Sequence, residues 1–222
     1  MMNFMARLLQ TNLQKAMSVI CIMARDFYAI AIVITLLLVI PGCTTPKSME
    51  EEISSDELQV PEHLNLIADT AGRDIDRGQQ MDILQDANGE NTLILWVSTG
   101  CTGCHDWTEM IADEMRSGNL SNDTRIITVH RYPSFENREE VIDVYASPNS
   151  STESLWPVLI PNDGQSAIDV DKNKLTEYEY TEAFSNPATP SLYVLDGDGK
   201  TIWKNKKYWA NESVLTEALD LL

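Results

Sequence analysis

The chain has 222 residues, 43% of them hydrophobic, and carries 34 acidic against 16 basic side chains for a formal net charge of −18. That length and apolar content suit one domain with a substantial core. So acidic a surface excludes nucleic acid as a partner, because phosphates need clustered Lys and Arg, and it disfavours electrostatic docking on anionic lipid. The acid excess reads as a solubility device.

Residues 1–43 differ from the rest, holding three bases (Arg7, Lys15, Arg25) and one acid (Asp26). Tyr28 to Ile40 is an apolar run of 13 residues, too short to span a bilayer as a helix but of the right length for a signal-peptide core. It ends in Ile40-Pro41-Gly42-Cys43, which resembles the lipobox of bacterial lipoproteins, although Pro41 replaces the usual Ala or Ser. The resemblance implies lipidation of Cys43 and a membrane anchor. A plain signal anchor with an incidental cysteine is the alternative. Residues 23–43 make a complete signal by themselves, so translation is expected to start at Met23, with residues 1–22 an upstream over-extension. Thr44, where an Asp would retain a Gram-negative lipoprotein in the inner membrane, favours the outer membrane by the same resemblance.

From Thr44 to about residue 60 the chain is polar and acidic, as expected of a flexible tether, and residues 61–222 form the expected single domain. Thr92-Leu93-Ile94-Leu95-Trp96-Val97 fits a buried central strand following the turn at Asn88-Gly89. From Cys104 the apolar spacing turns helical through Trp107, Ile111 and Met115, with Gly118-Asn119 as the stop. Thr124–Tyr132 reads as a second strand, so strand–helix–strand implies a parallel βαβ unit. Further on, Asn137–Ala146 is expected to be a helix, Leu155–Ile160 a short strand and Leu175–Ser185 a helix. Ser191–Leu195 and Thr201–Lys204 flank Asp196-Gly197-Asp198-Gly199-Lys200 as a β-hairpin. Those turn acids lack the EF-hand pattern. Asn211 caps a last helix, Val214 to Leu222.

The chemistry concentrates in Cys101-Thr102-Gly103-Cys104-His105. With Cys21 and Cys43 in the leader and anchor, Cys101 and Cys104 are the only cysteines of the domain. An export signal implies an oxidising compartment, where such a close pair is either a structural disulfide or a catalytic dithiol. Cys-x-x-Cys-His is also the attachment signature of c-type haem, with His105 as axial ligand. A second axial ligand is hard to find. No methionine follows Met115, Met110 is one helical turn from His105, and His130 falls in a predicted strand.

A buried strand leading into Cys-x-x-Cys at a helix N-terminus, then Thr189-Pro190 opening the stretch Ser191–Lys200, resembles the thioredoxin-like superfamily. The long interval between Cys104 and Pro190 is similar to the TlpA/ResA-type periplasmic reductases, with the Dsb proteins more distant. The resemblance implies an α/β thioredoxin-like fold: a central mixed β-sheet flanked by helices, with a strand–helix insertion before the cis-Pro strand. It also implies an extracytoplasmic protein-disulfide oxidoreductase with no cofactor beyond its thiols, supplied with electrons by a membrane partner of DsbD type. Reduction is the favoured direction, although Thr102-Gly103 matches neither strong reductants nor strong oxidants. Helix N-terminal amides stabilise a thiolate, so Cys101 is expected as the nucleophile and Cys104 as the resolving thiol, with Thr189 and Pro190 beside them. His105 is either an electrostatic support for Cys101 or a solvent-facing histidine. At the position where thioredoxin has a buried acid stands Leu95, so another acid serves or the second deprotonation is slow. The Lys204, Lys206 and Lys207 cluster beside Tyr208 and Trp209 is either a docking patch or a solvated strand edge. The main rival is a copper-handling protein of the same fold, using Cys101, Cys104 and His130; a non-catalytic binding module is a third reading.

Overall fold

A computed structural model describes residues 59–148 and 150–222, which belong to one compact unit spanning Asp56–Leu222. The expected export signal, Cys43 and nearly all of the expected tether lie outside the described residues. In chain order the elements are β1 (Leu64–Asn65), β2 (Ile67–Asp69), a 3-10 turn (Asp74–Asp76), β3 (Gln80–Asp82), α1 (Ile83–Ala87), β4 (Thr92–Val97), α2 (Thr102–Ser117), β5 (Ile126–His130) and α3 (Arg138–Tyr145). They continue with β6 (Val158–Leu159), β7 (Ser166–Asp169), β8 (Lys174–Glu179), α4 (Tyr180–Ala183), β9 (Ser191–Leu195), β10 (Thr201–Asn205) and α5 (Glu212–Leu219).

The main sheet has the order β10-β9-β4-β5-β6. β4, β5 and β6 run parallel, whereas β9 lies antiparallel to β4 and β10 antiparallel to β9. Every residue of β4 is buried, which explains its unbroken apolar run: a central strand with both faces covered has no reason to alternate. One face packs Leu93, Leu95 and Val97 against Trp107 and Ile111 of α2, Val141 and Tyr145 of α3, and Leu215 of α5. On the other face, Ile94 and Trp96 meet Leu64, Leu66 and Met81 from the N-terminal strands, together with Tyr180 and Phe184.

Local chemistry sets the helix boundaries as the sequence leads one to expect. Gly118 ends α2 in the left-handed region (φ 78°) and closes its last turn on the Glu114 and Met115 carbonyls. Asn137 begins α3 with a reciprocal capping box to Glu140. Asn211 accepts the Val214 N–H at the start of α5. In the β9–β10 hairpin, Asp196 Oδ1 accepts the N–H groups of Asp198 and Lys200, so its acids serve the turn.

The expected helix at Leu175–Ser185 is corrected. Lys174–Glu179 is a strand paired with β7, and only Tyr180–Ala183 is helical. Leu175 and Tyr178 mimic a helical i, i+3 spacing, yet Thr176 and Tyr178 face inward on alternate positions of a strand, and Leu175 is left 67% exposed. Ser185 and Asn186, both with positive φ (64° and 49°), then stop the helix. The interval before the proline therefore holds more than a strand and a helix. Besides α3 and the short edge strand β6, it contains the β7–β8 hairpin, which joins β1 in a separate three-stranded sheet. No helix among the described residues is long and apolar enough to cross a membrane.

Candidate functional site

β4 delivers the chain to the site and α2 carries it away. Cys101 is the N-cap of α2, in extended conformation, and its sulfur accepts the Cys104 N–H at 3.1 Å. The two sulfurs are bonded to each other, with Cα atoms 5.2 Å apart. Cys101 keeps 8% of its surface and Cys104 none, so any incoming group meets the first cysteine before the second. The flanking Gly100 and Thr102 are exposed. The amides of the first helical turn, which lack partners within α2, surround this N-terminus and favour negative charge on it.

Gly103 is a packing requirement. A Cβ on it would stand 2.4 Å from the Tyr208 carbonyl oxygen and 3.1 Å from Cδ of Pro190. The Thr189–Pro190 peptide bond is cis, and the proline therefore lies directly against the turn between the two cysteines. Thr189 Oγ1 is 3.5 Å from Ser98 Oγ. The loop that carries Tyr208 is fixed to α2 as well: Trp107 Nε1 donates to the Lys207 carbonyl at 2.8 Å, and the Ala210 N–H donates to Asp106 at 2.8 Å. Tyr208 and Trp209 remain 45% and 57% exposed and stack edge to face at 4.9 Å. Lys204, Lys206 and Lys207 are all exposed, and Lys204 also lies over the Tyr193 ring, where partial burial pushes its ammonium pKa down.

The segment just before Cys101 is braced by side chains in roles that the sequence did not reveal: His105 and His130 were candidates for other tasks, and Tyr145 and Glu136 were not candidates at all. His105 Nε2–H donates to the Thr99 carbonyl at 2.8 Å, and its ring meets Tyr145 edge-on. The Tyr145 hydroxyl donates to the Ser98 carbonyl at 2.7 Å, and burial raises that phenol well above its ordinary range. Glu136 Oε2 accepts both the Thr99 N–H and His130 Nε2–H, each at 2.8 Å. His130 is completely buried and its Nδ1 has no partner among the described residues. Burial holds its pKa below the ordinary 6.5, outweighing the pull of Glu136. For Glu136 burial pushes up, but the Thr99 N–H and the His130 donor outweigh it and hold the carboxyl below the usual carboxylate range.

Neither rival ligand fits this arrangement. Haem attachment needs both sulfurs and a free imidazole, yet Cys104 is fully buried, the turn between the cysteines is covered by Pro190 and Tyr208, and His105 is engaged with Thr99. For copper, His130 is engaged with Glu136, and no group of three or more His, Cys, Asp or Glu among the described residues is arranged to hold a metal ion.

Three parallel strands followed by an antiparallel β-hairpin, a Cys-x-x-Cys at the helix leaving the central strand and a cis-proline opening the first hairpin strand define the architecture. The fold is thioredoxin-like. No family model matches the chain, and no curated protein does. Among solved structures it is similar to a putative protein disulfide isomerase from Bacteroides thetaiotaomicron, with 14% identity over 72% of this chain and 86% of that one and a TM-score of 0.45. It is also similar to the thioredoxin domain of a thiol-disulfide oxidoreductase from Bacteroides vulgatus, with 14% identity, 74% and 99% coverage and a TM-score of 0.47. A third is the exposed lipoprotein thioredoxin of Streptococcus pneumoniae, with 15% identity, 71% and 99% coverage and a TM-score of 0.47.

Proposed function

We propose that this chain is an extracytoplasmic thiol–disulfide oxidoreductase that reduces protein disulfides through Cys101 and Cys104. The observation that carries this reading is the asymmetry of the pair: a slightly exposed cysteine at the N-cap of α2 and a fully buried one a turn further in. In the reduced protein the Cys101 thiolate attacks one sulfur of a substrate disulfide, forming a mixed disulfide and releasing the other sulfur as thiolate. The Cys104 thiolate then displaces the substrate, which leaves as a dithiol with two electrons while the Cys101–Cys104 bond forms. cis-Pro190 supports the site by closing it over Gly103, which keeps metals away and offers backbone groups to a substrate strand. Thr189 and His105 support it through Ser98 and the Thr99 carbonyl.

Localisation and electron supply belong to the same proposal. The lipobox-like Ile40–Cys43 supports a lipid anchor at Cys43 in the bacterial envelope, with Thr44 favouring the outer membrane. A membrane dithiol donor of DsbD type would re-reduce the pair. Equilibration with glutathione tests the reaction and its direction: a potential near roughly −270 mV marks a reductant and one near roughly −120 mV an oxidant. Cys104→Ser is expected to trap substrates on Cys101 as mixed disulfides visible on non-reducing gels, and Cys101→Ser to abolish insulin reduction. A purified chain whose cysteine pair neither equilibrates with glutathione nor reduces insulin would leave only a structural disulfide.

A further inference from the structure

We propose that Glu136 is a positioning residue that biases the Cys101–Cys104 pair toward the disulfide, through a net negative charge fastened to the loop leading into Cys101. This rests on the oxidoreductase reading above and concerns how the pair is tuned. Thr99 is two residues before Cys101, and its N–H is held by Glu136 Oε2 at 2.8 Å. The same oxygen accepts His130 Nε2–H at 2.8 Å. A carboxylate can only accept, so the protonated nitrogen of His130 is Nε2, and the facing Nδ1 is buried with no partner among the described residues. A second proton there would create a buried donor with nothing to donate to. His130 is therefore neutral, and the Glu136–His130 pair is a hydrogen-bonded anion rather than a neutralised ion pair.

The surroundings leave that charge uncancelled. His105 and Tyr145 also grip this loop, but as donors to the Thr99 and Ser98 carbonyls. Arg131, next to His130, turns its guanidinium to the Pro187 carbonyl at 3.1 Å and over the Tyr132 ring at 4.7 Å. The Tyr180 hydroxyl donates to the His130 carbonyl. Leu95, at the position where thioredoxin has a buried acid, is itself buried and apolar. Glu136 reaches the loop through the turn in which the N–H groups of Phe135 and Glu136 both donate to the Tyr132 carbonyl.

The sign follows from electrostatics. A negative charge near a thiolate disfavours it and raises the thiol pKa. The reduced state gains less from ionising, so the pair is more reducing. The opposite effect of the α2 N-terminus is thereby moderated.

The test compares Glu136→Gln, whose amide oxygen still accepts the Thr99 and His130 N–H groups, with wild type. Neutralising the charge is expected to make the pair more oxidising by about tenfold in its equilibrium constant with glutathione, roughly 30 mV for a two-electron couple. It should also move the midpoint of the pH profile for Cys101 alkylation by iodoacetamide to lower pH. His130→Gln keeps a donor without changing charge and should stay within about twofold of wild type. If Glu136→Gln leaves both potential and alkylation midpoint unchanged, the inference is overturned. It is equally overturned if His130→Gln shifts the potential as far in the reducing direction, since His130 would then carry a second proton and a positive charge. Should Glu136→Gln not fold, the reciprocal coupling is read in wild type. The Glu136 carboxyl 13C signal must shift as Cys101 ionises in the reduced protein, and no shift there overturns the proposal. A wild type that exchanges no disulfides at all would instead remove the oxidoreductase reading.

Discussion

Two carboxylates, the fully buried Asp76 and the half-buried Glu136, each bond a basic side chain, and they differ in how completely they are satisfied. Asp76 has no exposed surface. It takes Arg73 through Nε and Nη2, the Arg73 N–H, and the Val158 N–H, while Arg73 gives two further donors to the Ser154 and Trp156 carbonyls. Both oxygens of Asp76 and four of the five guanidinium N–H groups of Arg73 have partners there, and the network ties the 3-10 turn to β6. Glu136 keeps 17% of its side-chain surface, and its partner His130 leaves one nitrogen unpaired. A closed, neutralised network stabilises one conformation. An open one carrying net charge costs folding free energy that a purely structural bond would avoid, and this one stands two residues from Cys101.

The largest effect that would sharpen the contrast comes from Asp76→Ala. It strands Arg73 beside the buried Val158 N–H, and losing one partner of a buried pair costs about 3 kcal/mol or more. Urea unfolding should show that loss, while the glutathione equilibrium of the folded fraction stays at the wild-type value. A shift of the redox equilibrium in this variant would break the division between structural and tuning carboxylates.

Tyr145→Phe sits between the two. It removes the hydroxyl that donates to the Ser98 carbonyl, leaving that acceptor only the longer bond from the Cys101 N–H at 3.3 Å, at a cost of about 1 kcal/mol. The charge at the loop is unchanged, so denaturant midpoints should fall while the potential holds. If Tyr145→Phe shifted the potential as far as Glu136→Gln, loop geometry rather than charge would be what tunes the dithiol.

How far these regions could be read from sequence follows the same division. β4, α2 and the β9–β10 hairpin were legible because each rests on local chemistry: a continuous apolar run, a helical stripe ended by Gly118, a turn built by Asp196. The cysteine pair and Thr189-Pro190 were legible because their spacing and order are distinctive. The segment from Leu64 to Ala87 escaped because its strands have two or three residues each, too few for a period to emerge. Glu136 escaped for another reason. It is one acid among 34, and only the βαβ crossover and the turn after β5 bring it back to Thr99. His130, considered from sequence as a copper ligand, belongs to that carboxylate.

The smallest expected effect concerns acid and His130. A histidine whose folded pKa lies below its ordinary 6.5 binds its proton more readily unfolded than folded. Its contribution to stability is therefore present above about pH 6.5 and is lost as pH falls below that value toward the folded pKa. Glu136, also depressed, acts in the same sense but only at lower pH, below the ordinary carboxylate value. His63 opposes both: its bond to Asp171 raises its pKa, so its stabilising share is present in acid and lost as pH rises through that raised value. His130→Gln should consequently flatten the fall in stability between pH 6.5 and 5, measured by urea midpoints, whereas His63→Gln should act above pH 6.5, where it removes the loss of stability that accompanies deprotonation of His63. An acid slope unchanged by His130→Gln would mean that the buried imidazole accepts its second proton without difficulty. The Glu136 pair would then be neutral in mildly acidic conditions and its hold on the dithiol would fade there.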